Sequence, residues 1–152
     1  DLKKHNVILL GSAWVNDWVE KLPVKEDFIY SVDASILNKE PLAGEKSEYK
    51  PKYNEQTGDV EEDYAIITVK PGVTDEHRLM ILAGLLSEGT QAAAECVTKK
   101  EYLDALTQRL QHMSDKGGPP KYYQVLLKVA VDNGIPTTVS ILAVHPLKVT
   151  RN

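Results

Sequence analysis

Apolar residues fall along this chain in short blocks separated by glycine, proline and charge. Asn6-Val-Ile-Leu-Leu10 is an apolar run stopped by Gly11-Ser12, the profile of a strand buried on both faces and so central in a sheet. Ala13 to Leu22 follows as a short helix, with Asp17 and Glu20 at capping-box spacing and Pro23 as its stop. Phe28-Ile-Tyr-Ser-Val32 has the β-branched and aromatic content of a second strand, and Ser35 to Asn38 of a short third. The opening therefore reads as β-α-β. Residues 39–63 turn polar, with Pro41, Gly44, Pro51, Gly58 and the acidic run Glu61-Glu62-Asp63. A long charged loop or an irregular β excursion is expected there, since strong core signal resumes at once with Tyr64-Ala-Ile-Ile-Thr-Val69.

Pro71-Gly72 punctuates the chain before Arg78-Leu-Met-Ile-Leu-Ala83, a further buried strand ending at Gly84. Two helices are predicted after it. The first spans about Gly89 to Val97, where Ala92, Ala93 and Cys96 form a small-residue face. The second opens on Thr98-Lys-Lys-Glu101, a capping box, and repeats Leu103, Leu106, Leu110 and Met113 at helical spacing until Gly117-Gly118-Pro119-Pro120 stops it. Tyr122 to Val131 and Thr137 to Val144 flank Asp132-Asn133-Gly134, a strong β-hairpin signal, with Pro136 expected at the turn or on a free edge. The pattern predicts an α/β sandwich: a mixed sheet, helices packed on it, and a C-terminal β-hairpin.

Length and composition narrow the function classes. A chain of 152 residues with 42 % apolar and 26 % charged residues fits one globular domain over residues 1–152. With 18 basic and 22 acidic residues the net charge is −4, which argues against direct contact with nucleic acid or with a membrane surface. Cys96 is the lone cysteine, so no internal disulfide forms, and a reducing, cytoplasmic setting suits it.

Candidate chemistry lies where strands end in glycine before a helix. Leu10-Gly11-Ser12 leading to Asn16, and Ala83-Gly84-Leu-Leu-Ser87-Glu88-Gly89-Thr90, both have that form. At such places backbone N–H groups offer partial positive charge and glycine lets a ligand approach. If the two strands are neighbours, both loops open on one crevice, and Gly11, Ser12, Asn16, Gly84, Ser87, Gly89 and Thr90 become candidate ligand contacts. The plainer reading is a tight turn and a helix cap. Neither loop is a dinucleotide fingerprint or a P-loop, and the sequence assigns no cofactor.

Other motifs have easier structural readings. Ser87 resembles the serine of a nucleophile elbow, but with one residue too many before it, and His112 and His145 suit a helix end and a terminal strand. Glu88 is a candidate carboxylate for an enzyme acting on nucleotides or N-glycosidic bonds, against its reading as a first-turn acid. His5, His77, His112 and His145 are scattered, so no metal site is predicted. Trp14 and Trp18 share a helical face that either packs on the sheet or meets a partner; Tyr49 and Tyr53, alternating with Lys50 and Lys52, read as an edge strand.

Val7-Ile-Leu-Leu-Gly-Ser-Ala-Trp-Val-Asn16, then Asn38 with Pro41 and Gly44-Glu45, then Leu79-Met-Ile-Leu-Ala-Gly84 with Glu88-Gly-Thr-Gln-Ala-Ala93, then a closing hairpin, together resemble a bacterial, acidobacterial-type domain family with no assigned activity. That family has a strand–G-G-P-x-x-N opening, an N-x-x-P-x-x-G-E middle and a strand–A-G-x-x-x-x-G-T-x-A-A segment. Ser12-Ala13 departs from the usual Gly-Pro. The resemblance implies a C-terminal sensory or regulatory domain, a segment of the same protein upstream of Asp1, and Asn38 as a further candidate ligand contact beside the glycine loops. A fold-level likeness to nucleoside deoxyribosyltransferase-like and Toll/interleukin-receptor-like folds carries no function.

The expectation is thus a small-ligand-binding regulatory module with its site at the Gly11 and Gly84 loops. The alternatives are an enzyme using Glu88, or an interaction module that forms a homo-oligomer through the hairpin edge or the Trp14/Trp18 face.

Overall fold

A computed structural model describes residues 2–11, 24–113 and 118–149. In chain order these form a 3-10 turn at Leu2–Lys4, then β1 (Val7–Leu10), β2 (Phe28–Tyr30), β3 (Ile36–Asn38), β4 (Glu48–Tyr49), β5 (Lys52–Tyr53), β6 (Val60–Pro71), β7 (Arg78–Gly84), α1 (Ser87–Thr98), α2 (Lys100–His112), β8 (Tyr123–Asp132) and β9 (Ile135–Pro146). The main sheet has the order β1-β7-β6-β8-β9, with β5 paired to the start of β6. β1 runs parallel to β7 and the other pairs are antiparallel. Strands β2, β3 and β4 form a separate antiparallel sheet.

Period-two alternation gives the main sheet two apolar faces. On one, Ala65 and Ile67 of β6, Leu82 of β7, Val125 and Leu127 of β8 and Val144 of β9 pack against Ala93 and Cys96 of α1 and Leu106 of α2. On the other, Tyr64, Ile66, Leu126 and Ala143 pack against Phe28, Ile36 and Tyr49 of the small sheet. The molecule is therefore a three-layer α/β sandwich of helices, mixed sheet and small sheet, and the hairpin β8–β9 closes the main sheet. This is the predicted fold class with an added layer.

Several local expectations are corrected. β1 does not lie centrally: it pairs only with β7 among the described residues, and Ile8 and Leu10 are each 63 % exposed. The β-α-β opening is not formed, because β2 pairs with β3 in the small sheet; the helix predicted over 13–22, with Trp14 and Trp18, lies outside the described residues. Of the two readings of the polar stretch 39–63 the β excursion holds, since it contains β4, β5 and the start of β6, but Glu61-Glu62-Asp63 is strand rather than charged loop. Each acid has a partner that makes this tolerable: Glu61 pairs with Lys52 at 3.4 Å, Glu62 with Lys128 at 3.2 Å, and Asp63 receives backbone N–H groups. Tyr49 is buried against Tyr64 while Tyr53 is exposed. The Thr98–Glu101 capping box is absent: α1 continues through Thr98, whose hydroxyl donates back to Ala94 O at 2.8 Å, and Lys99 starts α2 without a side-chain cap.

The hairpin forms as the Asn-Gly signal requires. Asn133 and Gly134 have φ of 49° and 73°, so both central residues of the two-residue loop sit in the left-handed region of a type I′ turn. A Cβ on Gly134 would meet nothing within 4 Å, so Gly134→Ala adds backbone strain alone. The expected loss is about 1–2 kcal/mol, read as a lower urea midpoint at unchanged slope.

Candidate functional site

Because β1 and β7 are parallel neighbours with Leu10 opposite Leu82, Gly11 and Gly84 do come to the same end of the sheet, and Gly11 N donates to Leu82 O at 3.1 Å. What fills that end is a side chain of the protein itself. Asp63, fully buried on the helix face of β6, accepts Gly89 N at 2.6 Å and Leu86 N at 3.1 Å through Oδ2, and Tyr64 N at 2.7 Å through Oδ1. The amides of Leu86 and Gly89 lie at the start of α1, whose N-cap residue Leu86 has no side-chain acceptor of its own. A strand supplies the cap and the negative charge that a helix N-terminus favours.

The neighbouring motif residues serve the same packing. Thr90 Oγ1 accepts Gly84 N at 2.9 Å. A Cβ on Gly84 would collide with the backbone of Leu86, Gly89 and Thr90, and one on Gly89 with the Asp63 carboxylate. Both glycines are thus required for α1 to approach the sheet. Ser87 is exposed, with its hydroxyl 3.3 Å from Glu88 Oε2. Ser12 and Asn16 lie outside the described residues. Asn38 is not brought to this end: it belongs to the small sheet on the opposite face, where it donates to Glu45 Oε1 at 3.2 Å and accepts Glu40 N.

That opposite face carries a buried polar cluster that sequence reasoning missed. Gln124 accepts the N–H groups of Asp27 and Phe28, each at 2.9 Å, and donates to Phe28 O and Thr68 Oγ1, so its amide acts as a piece of β ladder for the strand entering β2. Lys70, 2 % exposed, meets Glu26 at 2.6 Å. His145 has Asp27 Oδ2 at 2.8 Å on Nδ1 and Glu45 Oε1 at 2.6 Å on Nε2, with the Phe28 ring 4.6 Å from its own. Both ring nitrogens face carboxylates. The two acids flank the imidazole on opposite sides and cannot converge on an ion, and no described group of His, Cys, Asp and Glu is arranged to hold a metal. Ser87 stands on the helix side of the sheet and His145 on the other, so they do not form a hydrolase pair.

Among the described residues a concave site lies open on the helix side of the sheet. Between α2 and β9 lies a pocket of about 260 Å³ lined by Cys96, Tyr102, Ala105, Arg109, Val139 and Ile141. Its floor is apolar and Arg109 stands exposed at its rim, with no ion pair or hydrogen bond among the described residues. Burial pushes the Cys96 thiol up to about 11, so it stays protonated and inert. No described helix is long and apolar enough to cross a membrane. In comparisons with protein-family models, curated proteins and solved structures, the chain matches none.

Burial raises the pKa of Asp63; the N–H groups of Tyr64, Gly89 and Leu86 oppose the rise and Glu88 adds to it, leaving it above its ordinary 3.8. The folded state therefore holds this proton more tightly than the unfolded state. The stability that Asp63 contributes is greatest below pH 3.8 and falls as pH rises to the raised value. In urea titrations between about pH 3 and about pH 7, the advantage of the parent over Asp63→Asn should shrink with rising pH. At the upper end the variant should still be about 1–3 kcal/mol less stable, since its amide sets N–H groups against N–H groups.

Proposed function

We propose that this chain is a regulatory binding module for a small molecule with an apolar body and an anionic end, held in the pocket between α2 and β9. The observation that carries this reading is Arg109, a cation without a partner among the described residues, placed over an apolar concavity. Asp63, Lys70 and His145, by contrast, are each engaged by internal partners and have little to offer a substrate. At about 260 Å³ the pocket lies at the small end of ligand sites, which favours a metabolite-sized ligand.

This moves the site away from the Gly11 and Gly84 loops, where the N–H groups of Gly84, Leu86 and Gly89 already have acceptors. The regulatory role rests on the sequence resemblance, and a bacterial cytoplasmic location suits a lone thiol that is buried and protonated.

Thermal-shift and NMR titrations with octanoate, phenylacetate, phenyl phosphate and a nucleotide panel test the reading. A ligand that binds only the folded state raises its melting temperature. The apolar anions are expected to do so in the parent and in Glu88→Gln. They should fail with Arg109→Ala, whose unliganded stability stays within about 0.5 kcal/mol of the parent because the side chain is exposed. An equal response in Arg109→Ala, or none in the parent, overturns it. A nucleotide response that depends on Ser87 would return the site to the glycine loops.

A further inference from the structure

The pocket does not stand alone: its inner wall belongs to the last strand of the main sheet. β9 is the last strand of the main sheet, and it pairs only with β8 among the described residues. Val139 and Ile141 point from it into the pocket, while α2 supplies the opposite wall through Tyr102, Ala105 and Arg109. Sheet edges of this length usually carry charges or other devices against unwanted pairing. From Ile135 to Pro146 there is no Lys, Arg, Asp or Glu. The devices present are confined to the ends: the pairing register with β8 leaves Thr137 and Leu142 as extra bulged residues, and Pro136 and Pro146 lie beyond them. Between the bulges, Thr138 to Ile141 is regular strand with one row of backbone groups unpaired among the described residues.

We infer that the occupant of this site is an extended peptide that adds as a strand to β9 at Thr138–Ile141, sets an apolar side chain into the pocket, and places a carboxylate, from an acidic residue or a chain end, on Arg109. The inference rests on the pocket and Arg109 of the reading above, and puts an apolar side chain and a carboxylate carried on a peptide in the place of the free small molecule. The physical elements are those of strand addition in general: backbone hydrogen bonds along an edge supply affinity, and a pocket for alternate side chains supplies selectivity. A groove bounded by an edge strand on one side and a helix on the other holds such a strand better than a flat edge. The exposed guanidinium, with no ion pair among the described residues, selects a negative group at one end.

The test uses a display library of random hexapeptides with free carboxyl termini, selected against the whole chain and against Arg109→Ala. Selected peptides are expected to share an apolar anchor and a carboxylate, and to bind Arg109→Ala about tenfold more weakly. By NMR they should slow amide exchange at those positions from Thr138 to Ile141 that face away from β8. Methylating alternate backbone nitrogens of the peptide should abolish binding, because the strand then loses its donors to the edge. If no peptide is enriched over Arg109→Ala, or if bound peptides leave β9 exchange unchanged, the inference falls. Octanoate then separates the two readings: Arg109-dependent octanoate binding without peptide binding sinks the peptide alone, and loss of both sinks the pocket. Protection of β9 that grows with protein concentration in the absence of peptide assigns the edge to a second copy of the chain, which also overturns it.

Discussion

The arrangement turns on one buried carboxylate. Asp63 sits on the same face of β6 as Ala65, Ile67 and Val69, yet it carries an acid into the helix layer instead of a methyl group. Its bonds to Leu86 N and Gly89 N hold the first turn of α1 against the sheet. An ionisable group at full burial is unfavourable unless its oxygens are satisfied. Here the unmatched amides of a helix start and the unmatched oxygens of the acid offset part of each other's desolvation cost, and burial still leaves the acid's pKa raised. The position of α1 on the sheet follows from that bond, α2 packs beside α1, and the groove between α2 and β9 exists because both helices are where they are.

The same rule governs the other face, with different chemistry. The small sheet is too short to stand alone, since its strands have three residues or two. It is held by the apolar cluster around Phe28, Ile36 and Tyr64 and by polar groups rising from the main sheet: Gln124 to the backbone of Asp27 and Phe28, Lys70 to Glu26, and His145 to Asp27 and Glu45. Among the described residues no buried side-chain nitrogen or oxygen lacks a hydrogen-bond partner. Residues Asn38, Gly44 and Glu45 acquire a structural reason in this setting. Glu45 receives Asn38 Nδ2 and Leu42 N, Gly44 turns the chain at φ 85°, and the loop so closed delivers Glu45 to His145.

Gly84, Gly89 and Thr90, which looked like part of a ligand site, are engaged by the fold, and the residues that line the pocket look ordinary in sequence. Gly84, Gly89 and Thr90 were legible as a special strand-to-helix turn because glycine after a buried strand signals close approach. That the approaching group is α1 and Asp63, and not a ligand, depends on a contact 26 residues away in sequence. A partial signal for Asp63 was present: carrying the alternation of Ala65, Ile67 and Val69 back by one step places it on the core face. Arg109 carried no signal, being one cation on an amphipathic helix, until β9 set Val139 and Ile141 opposite it.

Apolar blocks, turn residues and helical spacing determined from sequence alone the main strands, both described helices, the Asn133-Gly134 hairpin and the α/β class, because each depends on interactions within a few residues. Tertiary structure decided that β1 is an edge, that β2 leaves the main sheet for a third layer, and that the acidic run is strand. Those outcomes depend on which distant groups satisfy which backbone and charge. An amide of Gln124 that mimics a strand, or a carboxylate of Asp63 that caps a helix, pairs with groups the chain brings near only on folding. Periodicity reports which face of an element is buried; what lies across from that face is a property of the whole molecule.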